Sequence, residues 1–425
     1  MAREIFRDKF NTPLYDFSAG TNKDAFERLR VSTPQSLHDW KSIHDRGAEF
    51  WNEDTTGGGT ITFNAAKSQV DLAVGTASGD EAIRQTTRYY PYFPGKSQLV
   101  ILTGVPGAAK ANVRKRGGLF DDLNGLFFEF DGLTVNVVRR TDTSGSAVDN
   151  KVAQTSWNLD TLDGSGDPTT NPSGILLDAS KTNIFMIDFQ WLGVGAVRFG
   201  VDVDGVAIYC HQINNANTLD VAYMSTGSLP VRYEITNTGT AASASTMSEI
   251  CSSVASEGGF QLFGFDGSVG NGTTLRNVTT RVPIFAIRLT NAINSKRNRR
   301  TIVFNGAQFF SNDKGGYFEL AHVKGHTGVT ATWTDFDTGS SGVEYSTDIS
   351  AVTGGNQHVF LDAHVAAGKN DKASGTSVAA NLIGRHHYVS QNIDSTDSEL
   401  FVVFATQLII GTAQTSSSIQ WIEME

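Results

Sequence analysis

Carboxylates two positions apart on a strand share a face, and two such pairs occur in this chain: Glu129 with Asp131, and Asp202 with Asp204. A glycosidase needs two carboxyl groups roughly 5–10 Å apart across a bound sugar, so either pair has the raw chemistry for hydrolysis. Each also runs into an Asp-Gly turn, where aspartate is favoured by local hydrogen bonding, and turn chemistry is the plainer reading. His322 and His326 stand four apart, but Gly325 and the surrounding β pattern deny them the helix that would make them a zinc pair. His38-Asp39 and His44-Asp45 offer acid-base pairs with no nucleophile motif beside them, and His386-His387 point to opposite faces if extended. Asp266-Gly267 and Asn271-Gly272 supply loop oxygens at a spacing that does not match an EF-hand. No phosphate-binding loop, dinucleotide fingerprint or serine elbow occurs. The expectation is therefore no catalytic residue, no cofactor, no metal and no enzymatic activity.

Two basic groups stand out in an acidic chain. Lys110, Arg114, Lys115 and Arg116 precede Gly117-Gly118, and Lys296-Arg297-Asn298-Arg299-Arg300 is the most basic run. Neither comes with an aromatic stacking platform or a helix-turn-helix pattern, and the formal net charge of -10 argues against a specific nucleic-acid or anionic-membrane binder. Cys210 and Cys251 lie far apart and near no other soft ligand, so both read as small buried residues. No run approaches the ~18 apolar residues of a membrane span, and the amino terminus lacks an apolar leader, so a soluble protein made in the cytosol is expected.

The elements that must position these residues are strands. Phe199, Val201 and Val203 alternate with Gly200, Asp202 and Asp204, and Asp204-Gly205 then reverses the chain as a hairpin turn. Leu126, Phe128 and Phe130 face Leu133, Val135 and Val137 across Asp131-Gly132 in a second hairpin. Thr246–Val254 fits a capped helical turn and a strand equally well. With 43 glycines and only 9 prolines among abundant Ser, Thr, Asn and Asp, tight turns in a sheet protein are favoured. The fold class is all-β: an antiparallel β-sandwich, jelly-roll or concanavalin-like, with an extended N-terminal arm and a second, smaller β domain. The spacing divides the chain into an arm over 1–45, a main sandwich over 46–295 and a C-terminal β domain over 296–425, with the basic run at the boundary. The turn-rich stretch from Thr141 to Ser180 is longer than an ordinary connection and reads as functional or partner-ordered.

Five runs taken together, Arg28-Leu29-Arg30-Val31-Ser32-Thr33-Pro34, Pro94-Gly95-Lys96-Ser97-Gln98, Gln190-Trp191-Leu192-Gly193-Val194-Gly195 through Gly200, Leu229-Pro230-Val231-Arg232-Tyr233-Glu234 and Gly315-Gly316-Tyr317-Phe318-Glu319-Leu320, make the chain similar to a family of virion structural proteins of tailed bacteriophages. The resemblance spans most of the chain from Phe26 onward. It implies a structural subunit of the particle, in the capsid surface, neck, tail or baseplate, made in the bacterial cytoplasm and located in the virion. Its partners would be copies of itself, as a homotrimer, and other virion proteins.

Partner contacts are then expected from the aromatic arm, Phe6, Phe10, Tyr15 and Phe17 with Arg28 and Arg30, and from Lys296, Arg297, Arg299 and Arg300. The alternative is a receptor- or glycan-binding module in which Trp157 and Tyr223 stack on sugar rings of the host surface.

Overall fold

A computed structural model describes residues 23–26, 28–258, 264–312, 314–367, 374–379 and 388–424. Phe6, Phe10, Tyr15, Phe17 and His386-His387 lie outside the described residues. The chain divides into two units, Met1–Thr86 with Tyr90–Gln261, and Thr87–Tyr89 with Leu262–Glu425. Each is a β-sandwich, so the all-β, antiparallel class read from the sequence holds. Among the described residues no helix is long and apolar enough to cross a membrane.

The first unit is built from β1 (Gln35–Lys41), β2 (Trp51–Thr56), β3 (Thr60–Asn64), β4 (Gln69–Val74), β5 (Glu81–Thr86), β6 (Gln98–Val105), β7 (Val113–Phe120), β8 (Gly125–Asp131), β9 (Thr134–Thr141), β10 (Val148–Ala153), β11 (Asn183–Phe189), β12 (Val197–Val203), β13 (Val206–Ile213), β14 (Val231–Asn237) and β15 (Ser245–Ser256). One sheet runs β13-β12-β11-β6-β15-β4-β3, with β1 also on β15; the other runs β10-β9-β8-β7-β14-β5-β2. Every pairing is antiparallel, so period-two alternation sends one side of each strand inward. Phe128 of one sheet meets Phe185 and Phe199 of the other with ring centres 4.9 and 5.4 Å apart. Each such buried aromatic contributes roughly 1.5–3 kcal/mol of transfer free energy.

The hairpin at Asp204-Gly205 forms as the sequence requires: φ is +53° and +78° at its two central residues, a conformation that glycine reaches without strain. The β8–β9 hairpin differs by one residue from the expected register. Asp131 pairs with Thr134, so the loop is Gly132-Leu133, and Leu133 lies at an exposed tip and not on the apolar face. Thr246–Val254 is strand, part of β15, because β4, β6 and β1 supply partners to its backbone that a lone helical turn would lack.

The expected domain limits also move. Gln35–Lys41 pairs along Ser256–Cys251 as a strand of the sandwich, so the segment ahead of it is shorter than 1–45. The boundary falls at 261/262 and not at 295/296, since Val282–Leu289 pairs with Leu400–Gln407 and Val343–Ser346 in the second sandwich. There one sheet holds Thr301–Ser311 and Ala413–Met424 and the other holds Val282–Leu289, Leu400–Gln407, Gly316–Thr330 and Ala351–Val365. Phe309 stacks on Phe318 at 5.0 Å between them.

Candidate functional site

The outward face of the β10-to-β2 sheet is charged where a solvent-facing sheet would ordinarily be merely polar. Cross-strand register places Ile83, Glu234, Arg116, Glu129 and Asn136 in one row from β5 to β9. Arg116 binds three carboxylates: Nε donates to Glu129 Oε2 at 2.9 Å, Nη1 to Glu234 Oε1 at 3.2 Å and Nη2 to Asp149 Oδ2 at 3.2 Å. Arg232 reaches Asp122 at 2.7 Å and Glu234 at 3.0 Å, and Arg140 grips Asp149 with two bonds of 2.7 and 3.1 Å. Lys151 closes the far side on Glu129 at 2.6 Å.

Under the guanidiniums lies an aromatic pair. Phe120 and Phe127, fully buried with Val138 on the same outward face, sit 4.4 Å apart. Arg116 and Arg140 lie 5.3 and 5.2 Å from the Phe127 ring, and Arg232 lies 5.4 Å from Phe120. The cation–ring attraction holds each guanidinium plane against a rigid floor. Above them opens a groove of about 410 Å³, lined by Glu81, Asp122, Asp149 and Glu234 as acids and Arg116, Arg140 and Arg232 as bases. That volume lies within the range of small-ligand sites.

Burial acts to raise the Glu234 carboxyl, but Arg232, Arg116, Arg114 and Arg140 outweigh it and hold the group below the usual carboxylate range. Asp149 behaves alike: burial opposes ionisation, and Arg140 with Arg116 and Lys151 overcomes it. Because both folded-state values lie below the unfolded ones, their stabilisation is complete above the ordinary carboxylate pKa and disappears as pH falls through the folded values. The expected result is a thermal midpoint that is flat from neutral pH to about 5 and falls below about 4, near the reference carboxylate values. The fall should survive added salt, since buried pairs are weakly screened. Scanning calorimetry from pH 7 to 3 at low and high salt checks this, and a fall that vanishes in salt would assign it to surface charge.

The opposite sheet carries a second polar cluster, and it is here that the arginines of the N-terminal segment go. Asp188 on β11, fully buried, accepts from Arg30 at 2.6 Å, Arg198 at 2.8 Å, Tyr209 at 2.9 Å and Ser97 at 2.7 Å. Arg30 also pairs with Glu257, and Gln190 Nε2 donates to Ala25 O at 2.7 Å. Burial works against the Arg30 guanidinium, yet Asp188 and Glu257 leave its pKa raised. Four residues of the runs that carry the phage resemblance, Arg30, Ser97, Gln190 and Arg198, thus fasten the segment Lys23–Pro34 to its own sandwich.

The expected partner residues are therefore placed differently from the sequence reading. Arg30 is engaged within its own chain, whereas Arg28 is half-exposed and bound to Asp24 and Gly95 O. Lys296 lies exposed on a short hairpin, Arg297 and Arg299 are half-buried, and Arg300 binds Glu423 at 3.0 Å. The first basic group is split by strand alternation: Arg114 and Arg116 face outward, while Lys115 points into the interior, donates to Ala108 O at 3.0 Å and is lowered by burial, then by Lys110, to about 8.

Trp157 and Tyr223 are core residues, their polar tips bound to Val152 O and Gln190 O, so neither offers a ring to a sugar. His38 is not arm surface but packs between Trp51 and Tyr90, with its ring nitrogens on Ser252 and Tyr90. His322 binds Glu399 at 2.9 Å and His326 binds Ser398 O at 3.1 Å. Among the described residues no group of three or more His, Cys, Asp or Glu is arranged to hold a metal. Asp202 accepts from Gly205 N–H at 3.1 Å, which is turn chemistry, whereas Glu129 belongs to the groove lattice.

No known family and no characterised relative matches the sequence. Solved structures that it resembles include a legume lectin-like domain from Entamoeba histolytica (11% identity, 52% of this chain and 98% of that one, TM-score 0.30), a β-1,3-glucanase from Mycobacterium marinum (11%, 52% and 98%, 0.34) and an endo-β-1,4-glucuronan lyase from Trichoderma reesei (10%, 48% and 94%, 0.28). These are likenesses of fold. One expectation is corrected: the exclusion of enzymatic activity does not stand. The ground for that exclusion, the lack of any constellation of ionisable groups, is removed by the groove itself. The fold class is the antiparallel β-sandwich that the sheets themselves display.

Proposed function

We propose that the chain is a structural subunit of a tailed-phage virion whose first sandwich binds a glycan through the groove on its β10-to-β2 sheet. The particle half of this reading rests on the five sequence runs. The glycan half rests on one observation: Arg116, Arg140, Arg232 and Glu234 are each more than nine-tenths buried and form the floor of an open polar groove. Burying four charged groups is costly, and a well-packed apolar face of the same volume would be at least as stable. Fixed donors and acceptors are what recognition of a polyhydroxylated ligand requires.

Within the particle the chain would pack against copies of itself, as a homotrimer, and against other virion proteins. Mass spectrometry and antibody labelling of gradient-purified particles test the location, and absence from the particle would reject it. Biolayer interferometry of the purified full chain on immobilised host-envelope polysaccharide tests the ligand. Binding that is at least tenfold weaker in Asp122→Ala, a rim change at a partly exposed side chain, is the expected result. Binding indifferent to that change would reject the groove as the site.

A further inference from the structure

We infer that the groove is built for an uncharged saccharide and discriminates against acidic ones; this rests on the glycan reading above. The reason is the pairing of its charges. Arg116, Arg140 and Arg232 each already bind at least one carboxylate within 3.2 Å. The four lining carboxylates outnumber the three lining guanidiniums. A uronate or sulfated sugar would have to displace a resident carboxylate to reach a guanidinium and would then lie beside that carboxylate, which costs it both the pair and the like-charge repulsion.

A neutral sugar meets no such conflict. A hydroxyl is donor and acceptor at once, and the groove presents both kinds side by side: carboxylate oxygens of Asp122, Asp149 and Glu81 at the rim, guanidinium N–H groups in the floor. Asp122 and Asp149 keep 39% and 20% of their side-chain surface exposed while bonded to arginine, so a ligand hydroxyl can reach their carboxylates. Ile83 and Ala147 give the C–H faces of a ring an apolar contact. The arginines need no reordering on binding, because Phe120 and Phe127 hold two sides of the lattice, and preorganisation of this kind lowers the cost of association.

The test titrates the full chain by calorimetry and saturation-transfer NMR with neutral oligosaccharides (gluco-, galacto-, manno- and xylo-series) and with oligogalacturonates. Asp122→Ala and Glu81→Ala serve as rim variants, with thermal melts to confirm that they fold. The expected result is binding of at least one neutral series, weakened tenfold or more in the variants, with oligogalacturonates at least tenfold weaker. Oligogalacturonates binding as tightly as the neutral sugars would overturn the inference. Silence from every neutral series, with Asp122-dependent retention on host polysaccharide intact, would overturn it while sparing the glycan reading. Silence throughout, with variants that alter only the melting temperature, would reduce the lattice to a structural brace and overturn both.

Discussion

Asp188→Asn is expected to destabilise the first sandwich by about 3–5 kcal/mol, the range for removing one partner from a buried ion pair. The substitution keeps the shape and removes the charge. Asp188 accepts from two guanidiniums, a phenol and a serine hydroxyl, and an amide replaces one acceptor oxygen by a donor that would face arginine N–H groups. Arg198, itself buried, would lose its carboxylate, and Tyr209, raised by burial and then by Asp188, would lose its acceptor. The second effect is local: Arg30 keeps Glu257 as its one acidic partner, beside its bond to Lys23 O, so the segment Lys23–Pro34 should loosen. Urea unfolding monitored by tryptophan fluorescence measures the first effect, and trypsin cleavage after Lys23, Arg28 and Arg30 the second. An unchanged midpoint with unchanged protease resistance would show that the cluster is incidental.

Arg116→Met should cost a comparable amount, about 3 kcal/mol or more, despite preserving most of the side-chain volume. It withdraws the guanidinium shared by Glu129, Glu234 and Asp149. Glu129 is fully buried and would keep only Lys151 and Asn136, so its charge is left under-compensated. A double-mutant cycle with Glu129→Gln isolates the pair: the double variant should recover at least 1 kcal/mol of the loss, because the orphaned charge is gone. Strict additivity of the two changes would mean that Arg116 acts through its packing on Phe127 alone.

Strand identity was legible because alternation and turn chemistry are local. Asp204-Gly205 needs nothing beyond itself to reverse a chain, and Phe199, Val201 and Val203 needed only their own spacing to declare a buried face. The groove was not legible for the opposite reason. Its parts come from Glu81, Arg116, Asp122, Arg140, Asp149, Arg232 and Glu234, and only pairing of β7 with β14, more than a hundred residues later, makes them neighbours. A signal was nonetheless present: Arg114 with Arg116, Glu129 with Asp131, Asp149 with Lys151 and Arg232 with Glu234 are all charged pairs two apart on strands. Considered singly, each resembled an ordinary wet face. Taken together, they mark one sheet whose outer side is ionic.

The domain boundary failed for a related reason. A basic run is as compatible with a strand end as with a linker, and Lys296–Arg297 proved to be a hairpin arm followed by Asn298, buried against Gly342 O and Thr290 O. The β pattern on either side is alike, so composition carried no mark of where one sandwich ends.

The fastening of Arg30 has a consequence for how the molecule is made. Its two acidic partners lie 158 and 227 residues further along the chain. At a synthesis rate of about 5–20 residues per second, the ribosome delivers the second partner roughly 10–45 s after the arginine itself. The segment thus leaves the exit tunnel well ahead of the acids that will secure it, and for that interval nascent Lys23–Pro34 waits without them.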